Sequence, residues 1–144
     1  MMVWDVETGE PINTFPDLQE SVTALVLSQD GTQIFAGAGS GGDITVWDLA
    51  SGKQLRVFEG HSAKINSMAI TPDGKLLISG GADRVFIVWD VASGKPIYTS
   101  VPQSAAITAV AISRDGRYAA ETAEGGVTVW DLQSKQILRN FLGH

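Results

Sequence analysis

The 144-residue sequence has no cysteine, only two histidines and no long hydrophobic run. A chain without thiols cannot form disulfides, zinc-thiolate sites or a cysteine nucleophile, and two histidines provide too few nitrogen ligands for a transition-metal centre. Because about 18 uncharged apolar residues nowhere follow one another and the first residues resemble no secretion signal, we expect neither a membrane span nor secretion. The lack of cysteine fits a reducing compartment, so we predict a cytoplasmic location.

Positive charge is also scarce, and it is scattered. Ten lysine and arginine residues stand against 16 aspartate and glutamate residues, which leaves a net charge of −6. We therefore expect no binding to nucleic acid or to anionic membranes. The chain does contain 44% hydrophobic residues, a normal globular share, and 16 glycines spread along its length. Dispersed glycines indicate many tight turns between short strands, so an all-β fold is predicted.

An internal repeat organises the chain. The dipeptide Trp-Asp recurs at Trp4, Trp47, Trp89 and Trp130, with steps of 43, 42 and 41 residues. A turn ending in Asp-Gly keeps nearly the same step, at Asp30-Gly31, Asp73-Gly74 and Asp115-Gly116. Asp-Gly supplies a residue that tolerates positive φ, so each turn should join two adjacent strands. The chain is therefore predicted to consist of copies of one supersecondary unit.

Each unit is predicted to contain four antiparallel strands. An apolar triplet precedes each Asp-Gly turn: Val22, Leu25 and Leu27; Ile65, Met68 and Ile70; Ile107, Val110 and Ile112. The gap of three followed by two predicts a bulged strand, and the small or apolar residues within each triplet predict that both faces of this innermost strand are buried. A second strand follows the turn, a third with alternating apolar residues ends at the tryptophan, and a fourth lies beyond it.

Sheets with apolar residues on both faces have to stack around an axis, which predicts a β-propeller. Residues 1–18 supply only a third and a fourth strand, a half blade, whereas residues 19–59, 60–101 and 102–144 each supply a whole blade. The predicted fold is a partial ring of about three and a half four-stranded antiparallel blades.

Propeller rings usually have about four to eight blades. We therefore expect the chain to be a segment of a longer polypeptide that supplies the remaining blades. On its own it should self-associate through exposed end faces. Joining two copies head to tail would not supply the inner strands that the half blade lacks, so closure of a ring by simple dimerisation is not expected.

The repeat resembles the WD-repeat family over essentially the whole chain. Its hallmarks here are the four Trp-Asp pairs, the Asp-Gly turns, and the pairs Gly60-His61 and Gly143-His144. The resemblance implies a buried hydrogen-bonded set that joins a loop histidine, a second-strand serine or threonine, a turn aspartate and the tryptophan. One copy carries all four residues: His61, Ser79, Asp83 and Trp89.

The other two whole copies depart from that set. In the copy before it, Leu18 and Gly41 stand at the histidine and aspartate positions. In the copy after it, Gln103 and Glu124 stand there. These two blades are predicted to rely more on apolar packing.

Three patterns have both a chemical and a structural interpretation. His61, Ser79 and Asp83 have the composition of a catalytic triad, but the repeat itself demands these residue types, and no open cleft is indicated. Residues 37–42 match the letters of a dinucleotide fingerprint, but residues 44–47 continue as a strand where the fingerprint needs a helix. The aspartates of the Asp-Gly turns are single carboxylates, so turn formation explains them better than calcium binding. We predict no catalytic residue, no cofactor and no metal.

The leading functional prediction is a non-catalytic scaffold that docks partner proteins. By the resemblance, the docking face is the rim with the Gly-His loops, and its exposed positions are predicted to be Ser21, Thr23 and Ser40; Lys64, Asn66 and Ala82; Ala106, Thr108 and Ala123. A plain solvated loop is an equal alternative for each of them. Two other functions stay open: a regulatory propeller domain of a larger enzyme and, less favoured, a small-ligand-binding or hydrolytic propeller.

Overall fold

The structure is a computed structural model and describes residues 2–15 and 21–142. Over these residues it consists of strands, turns and loops. No helix long and apolar enough to span a membrane occurs in the described part of the chain. The strands are β1 (Met2–Trp4), β2 (Pro11–Thr14), β3 (Val22–Leu27), β4 (Gln33–Ala38), β5 (Ile44–Asp48), β6 (Gln54–Phe58), β7 (Ile65–Ile70), β8 (Leu76–Gly81), β9 (Phe86–Asp90), β10 (Lys95–Thr99), β11 (Ile107–Ile112), β12 (Tyr118–Ala123), β13 (Gly126–Asp131) and β14 (Gln136–Leu142).

These strands form one two-stranded sheet and three four-stranded sheets. The half blade is β1–β2, blade 1 is β3–β6, blade 2 is β7–β10 and blade 3 is β11–β14, with neighbouring strands antiparallel and in chain order. The sheets lie at residues 2–14, 22–58, 65–99 and 107–142, each within one of the four segments that the repeat defines. The prediction of an all-β partial ring is confirmed.

The first strand of each whole blade has the bulge that its uneven apolar spacing predicts. The pairing register shifts between Val22 and Ala24, between Ile65 and Ser67, and between Ile107 and Ala109.

Side chains within the Asp-Gly turn stabilise it. In the first turn the Asp30 carboxylate accepts bonds from the Ser28 hydroxyl at 2.5 Å and the Thr32 N–H at 3.0 Å. Gly31 has a φ of +70° there, which a residue without a Cβ adopts at no steric cost.

The core lies between the sheets. Each buried tryptophan packs against an aromatic ring from the preceding sheet. Trp89 contacts Phe58 with ring centroids 5.7 Å apart, and Trp130 stacks on Phe86 at 5.4 Å. Trp47 contacts Phe15, the residue directly after β2, at 5.9 Å. One apolar cluster fills each of these junctions. We call the side of a sheet turned toward the preceding sheet its rear face, and the side turned toward the next sheet its forward face. The tryptophans thus occupy equivalent rear-face positions.

The prediction that both faces of every innermost strand are buried is wrong at the two ends of the arc. Leu25 and Leu27 on β3 are 48% and 49% exposed, and Ala109 and Ala111 on β11 are exposed. The half blade has no first or second strand to cover β3, and no described sheet lies on the forward face of blade 3. In β7, which has a whole blade on each side, every residue is at least half-buried. Burial at these positions therefore depends on the neighbouring sheet.

Candidate functional site

The four residues of the predicted hydrogen-bonded set lie together in blade 2. The Asp83 carboxylate accepts bonds from His61 Nδ1 at 2.8 Å and from the Ser62 N–H at 2.9 Å. We assign the histidine tautomer from this bond, so that Nε2 accepts from the Ser79 hydroxyl at 2.7 Å. The Ser79 oxygen in turn accepts the Trp89 indole N–H at 2.8 Å. This chain of bonds connects the loop before β7 to β8 and β9.

Burial distinguishes this set from a catalytic triad, whose nucleophile has to be accessible. Ser79 has no exposed surface, and His61 is only 6% exposed. A serine nucleophile has to face a cleft in which a reacting carbonyl can lie close to it. The Ser79 hydroxyl instead faces His61 and Trp89 inside the blade. It is placed to hold the tryptophan and is out of reach of a substrate that arrives from solvent.

The glycine-rich segment at residues 37–42 connects two strands. Gly37 and Ala38 end β4, and the residues after them turn the chain into β5, so the segment closes a hairpin and no helix follows it. Gly42 has a φ of +78°, and a Cβ there would lie 2.6 Å from the carbonyl oxygen of His61. Close packing against the next loop therefore explains this glycine. In the described ranges, no three histidine, aspartate or glutamate side chains come together as a metal-binding group.

The other two buried indoles are also hydrogen-bonded, by different acceptors. The Trp47 N–H donates to the Thr45 hydroxyl at 2.9 Å, and the Trp130 N–H donates to Glu121 Oε1 at 3.2 Å. Sequence analysis missed both acceptors. The signals that could have revealed them are a threonine two residues before Trp47 and a lone carboxylate at the position that Ser79 occupies in blade 2. The positions Leu18, Gly143 and His144 lie outside the described residues.

Glu121 is a buried acid at the junction of blades 2 and 3. It is 1% exposed, and its second carboxylate oxygen, Oε2, has no hydrogen-bond partner among the described residues. Burial raises the pKa of Glu121 above its ordinary value, and the hydrogen bond from Trp130 opposes that rise only in part. Tyr98 packs against Trp130 with ring centroids 5.6 Å apart. Burial, and then the charge of Glu121, raise the pKa of this tyrosine as well.

Side chains at one repeated position tie each blade to the next. The Thr23 hydroxyl of blade 1 donates to the carbonyl oxygen of Ile65 in blade 2 at 2.6 Å. The Asn66 amide of blade 2 donates to the carbonyl oxygen of Ile107 in blade 3 at 2.8 Å. Thr108 of blade 3, at the same position, donates to Thr122 of its own blade instead. These bonds join the first strands, which lie closest to the axis.

The nine predicted docking positions lie at the edge where β3, β7 and β11 begin, which we call the upper rim. Five of them are exposed: Ser21, Ser40, Lys64, Ala82 and Thr108. The other four are half-buried and not exposed as predicted: Thr23, Asn66, Ala106 and Ala123. For Thr23 and Asn66 the reason is the bond to the next blade. Sequence analysis also missed Arg84, an exposed cation with a φ of +69° in the loop after Asp83.

Replacing Thr23 with valine should lower the free energy of unfolding by about 0.5–1.5 kcal/mol, because the Ile65 carbonyl loses its partner from blade 1. Urea denaturation followed by tryptophan fluorescence measures this change. Thr108→Val is the matched control: Thr108 is exposed and bonded within its own blade, so its replacement should alter the midpoint little. Equal midpoints for the two variants would contradict a tie between blades.

The sheets, their tryptophan junctions and the ties between first strands define an arc of a β-propeller. The family model "WD domain, G-beta repeat" matches residues 9–48 and 52–90, which is more than half of the chain. The chain belongs to the WD-repeat family.

Two solved structures show the same similarity. The WD40 repeats of RRP9 are 29% identical with a TM-score of 0.85, and U3-55K is 29% identical with a TM-score of 0.86. Each alignment covers 92% of this chain but 42% of the other, so the chain spans less than half the length of either. The comparison with curated proteins gave no match.

Proposed function

We propose that this chain is a non-catalytic scaffold that docks a partner protein on the upper rim of blade 2. Membership of the WD-repeat family supports the proposal, because such propellers typically serve as interaction scaffolds. The observation that carries it is the position of Lys64. Its side chain is exposed, whereas its carbonyl oxygen accepts the Ala82 N–H at 2.8 Å. Because this bond holds the backbone at Lys64, binding of a partner has to order only the side chain there.

The charge of this rim supports an acidic partner segment. Lys64 and Arg84 are two exposed cations on neighbouring loops of the same blade, in a chain of net charge −6. Lys64 forms no ion pair with any residue that the structure describes. Its ammonium group is therefore available to a carboxylate of the partner, and charge complementarity of this kind favours encounter and orientation. The net charge of −6 opposes the binding of a polyanion, so we propose a protein partner and not a nucleic acid.

Charge reversal at Lys64 tests the proposal. Lys64→Glu is expected to weaken binding at least about tenfold, because the substitution places like charges opposite each other. The partner would first be recovered with the wild-type chain by affinity capture and then titrated against each variant. Lys75→Glu is the control, since Lys75 is also an exposed lysine, beside the Asp-Gly turn at the opposite edge. Unchanged affinity for Lys64→Glu, or an equal loss for both variants, would refute docking at this rim.

A further inference from the structure

A groove opens between blades 1 and 2 at the edge with the Asp-Gly turns, opposite the upper rim, and we call it the lower groove. It encloses a cavity of about 530 Å³, a size typical of pockets that bind ligands. Both blades have all four strands, so neither wall of the groove is an end of the arc. The lining residues that matter here are Phe35, Gln29, Gln33, Arg56, Asp30 and Asp90.

The equivalent junction between blades 2 and 3 is filled. Counted from the Asp-Gly turn or from the tryptophan, three polar residues of the groove correspond there to apolar or aromatic ones: Gln29 to Pro72, Gln33 to Leu76 and Arg56 to Tyr98. Leu76 and Tyr98 pack against the apolar cluster between blades 2 and 3. The lower groove is therefore specific to one junction, where polar residues replace those that fill the next.

The glycines of the two Asp-Gly turns show the same difference in packing. A Cβ added to Gly116 in blade 3 would lie 3.3 Å from Cδ of Pro72 in blade 2. A Cβ added to Gly74, the equivalent glycine of blade 2, would meet nothing within 4 Å. The turns of blades 2 and 3 thus touch each other, whereas open space surrounds Gly74 beside the lower groove.

The two cations that line the lower groove have partners within the chain. Arg56 Nη1 donates to the carbonyl oxygens of Val91 at 3.0 Å and Ala92 at 2.8 Å. The Lys75 ammonium lies 3.9 Å from the carboxylate of Asp73, which also lines the groove. The positive charge of the groove is therefore directed toward groups of the protein itself.

Two carboxylates of the lower groove have no cation opposite them. Asp30 and Asp90 form no ion pair in the described part of the chain. One oxygen of each accepts the hydrogen bonds of its own turn, which lower its pKa and keep it ionised at neutral pH. Blade 3 differs, because Asp131, the counterpart of Asp90, accepts a bond from Arg117 Nε at 3.4 Å. The groove therefore has negative charge to offer to an external cation.

We propose that the lower groove binds an extended segment of a partner protein through an arginine side chain. The guanidinium group of that arginine lies between Asp30 and Asp90, since its planar set of donors can bond to two carboxylates at once. The Gln29 and Gln33 amides, which have both donors and an acceptor, bond to the peptide groups beside it. The apolar floor at Phe35 contacts the methylene groups of the arginine.

A blocked tripeptide of sequence Gly-Arg-Gly is the probe, titrated against the whole chain by isothermal titration calorimetry. The wild type should bind it saturably. A peptide with citrulline in place of arginine keeps the shape without the charge, so it should bind at least about fivefold more weakly. The double variant Asp30→Asn, Asp90→Asn should lose a similar factor for the arginine peptide. Each asparagine keeps the oxygen that its turn requires, and circular dichroism verifies that the sheets have formed.

A second double variant tests the groove itself. Gln29→Pro with Gln33→Leu gives this junction the residues of the filled one, and it should weaken binding of the arginine peptide at least about tenfold. Asp115→Asn is the control. Asp115 is exposed and bonded within its turn as Asp30 is, but it lies in blade 3 and does not line the groove, so its replacement should leave the affinity unchanged.

Four results would each overturn the proposal: no saturable binding at about 10 mM peptide, equal affinity for the citrulline peptide, unchanged affinity in either double variant, or an equal loss in the Asp115→Asn control. The function proposed for the upper rim is tested separately. Lys64 lies at the opposite edge from the lower groove, so Lys64→Glu should leave the binding of the arginine peptide intact.

Discussion

Replacing Asp83 with alanine is expected to lower the free energy of unfolding by about 1–3 kcal/mol. The Asp83 carboxylate accepts bonds from His61 Nδ1 and from the Ser62 N–H, and the His61 side chain is fully buried. Without this acceptor the Nδ1 proton has no partner inside the blade. The bond from the Ser79 hydroxyl to His61 Nε2 and the bond from the Trp89 N–H to Ser79 then lose the group that orients the imidazole. Urea denaturation measures the loss directly.

Glu124→Ala is the matched control for Asp83→Ala. Glu124 stands at the corresponding position in blade 3, but its side chain is exposed. Removing an exposed carboxylate that supports no buried donor should change the stability by less than about 0.5 kcal/mol. An Asp83→Ala midpoint as close to wild type as that of Glu124→Ala would show that the set contributes nothing to stability.

Replacing Glu121 with glutamine is expected to stabilise the chain more at neutral than at weakly acidic pH, by about 1–3 kcal/mol, because the substitution removes the charged form that burial disfavours. The amide N–H group that glutamine introduces costs the same at every pH. The glutamine carbonyl still accepts the Trp130 N–H, so the indole keeps its bond. Equilibrium unfolding of both proteins between weakly acidic and neutral pH measures the effect. The difference between the two proteins is informative, since Tyr98, whose pKa the charge of Glu121 also raises, ionises well above this pH range.

The direction of the pH dependence follows from the raised pKa of Glu121. The folded chain holds this proton more tightly than the unfolded chain, whose pKa is near the ordinary value of 4.5. The stability due to the protonated acid is therefore complete below that value and is lost as the pH rises through the folded-state pKa. The pKa values of Asp30, which is exposed, and Asp90, which is half-buried, are lowered by hydrogen bonds, so their contribution to stability is lost only as the pH falls below 3.8.

The groups that face Glu121 do not titrate in the pH range of this prediction. Tyr98 of β10 is the titratable neighbour from blade 2, and it ionises at a much higher pH. On β13 the partner is the Trp130 indole, and the residues paired with Glu121 across β11 and β13 are Val110 and Thr128. Glu124→Gln, which alters an exposed carboxylate, should keep the wild-type pH profile. A Glu121→Gln profile parallel to that of the wild type would contradict the prediction.

Much of the fold was predictable because the determining interactions are local. The Asp-Gly turns need positive φ at Gly31, Gly74 and Gly116, and the structure has it at all three. The uneven spacing in Val22, Leu25 and Leu27 predicted a bulge that the strand pairing shows. Alternation before each tryptophan predicted the third strands. Each of these patterns involves residues within one strand or one turn.

The candidate site was less predictable because it depends on contacts between blades. The residue types at Thr23 and Asn66 suggested solvated loop positions, but both side chains reach a carbonyl oxygen of the next sheet. The partner of the Trp47 indole was missed because Thr45 lies in the same strand, two residues away, and not at the position of Ser79. A composition of small polar residues does not show which of them find a partner across a junction.

By itself, the sequence determined the repeating unit of this protein: the length of the repeat, the four-stranded blade, the bulge in its first strand and the family to which it belongs. Only the tertiary structure decided which copies of a repeated position are covered. Phe58 is buried and Phe141 is half exposed, although both occupy the same position in their blades. The physical reason is that strand and turn formation depend on neighbours in the chain, whereas burial depends on the sheet that lies opposite.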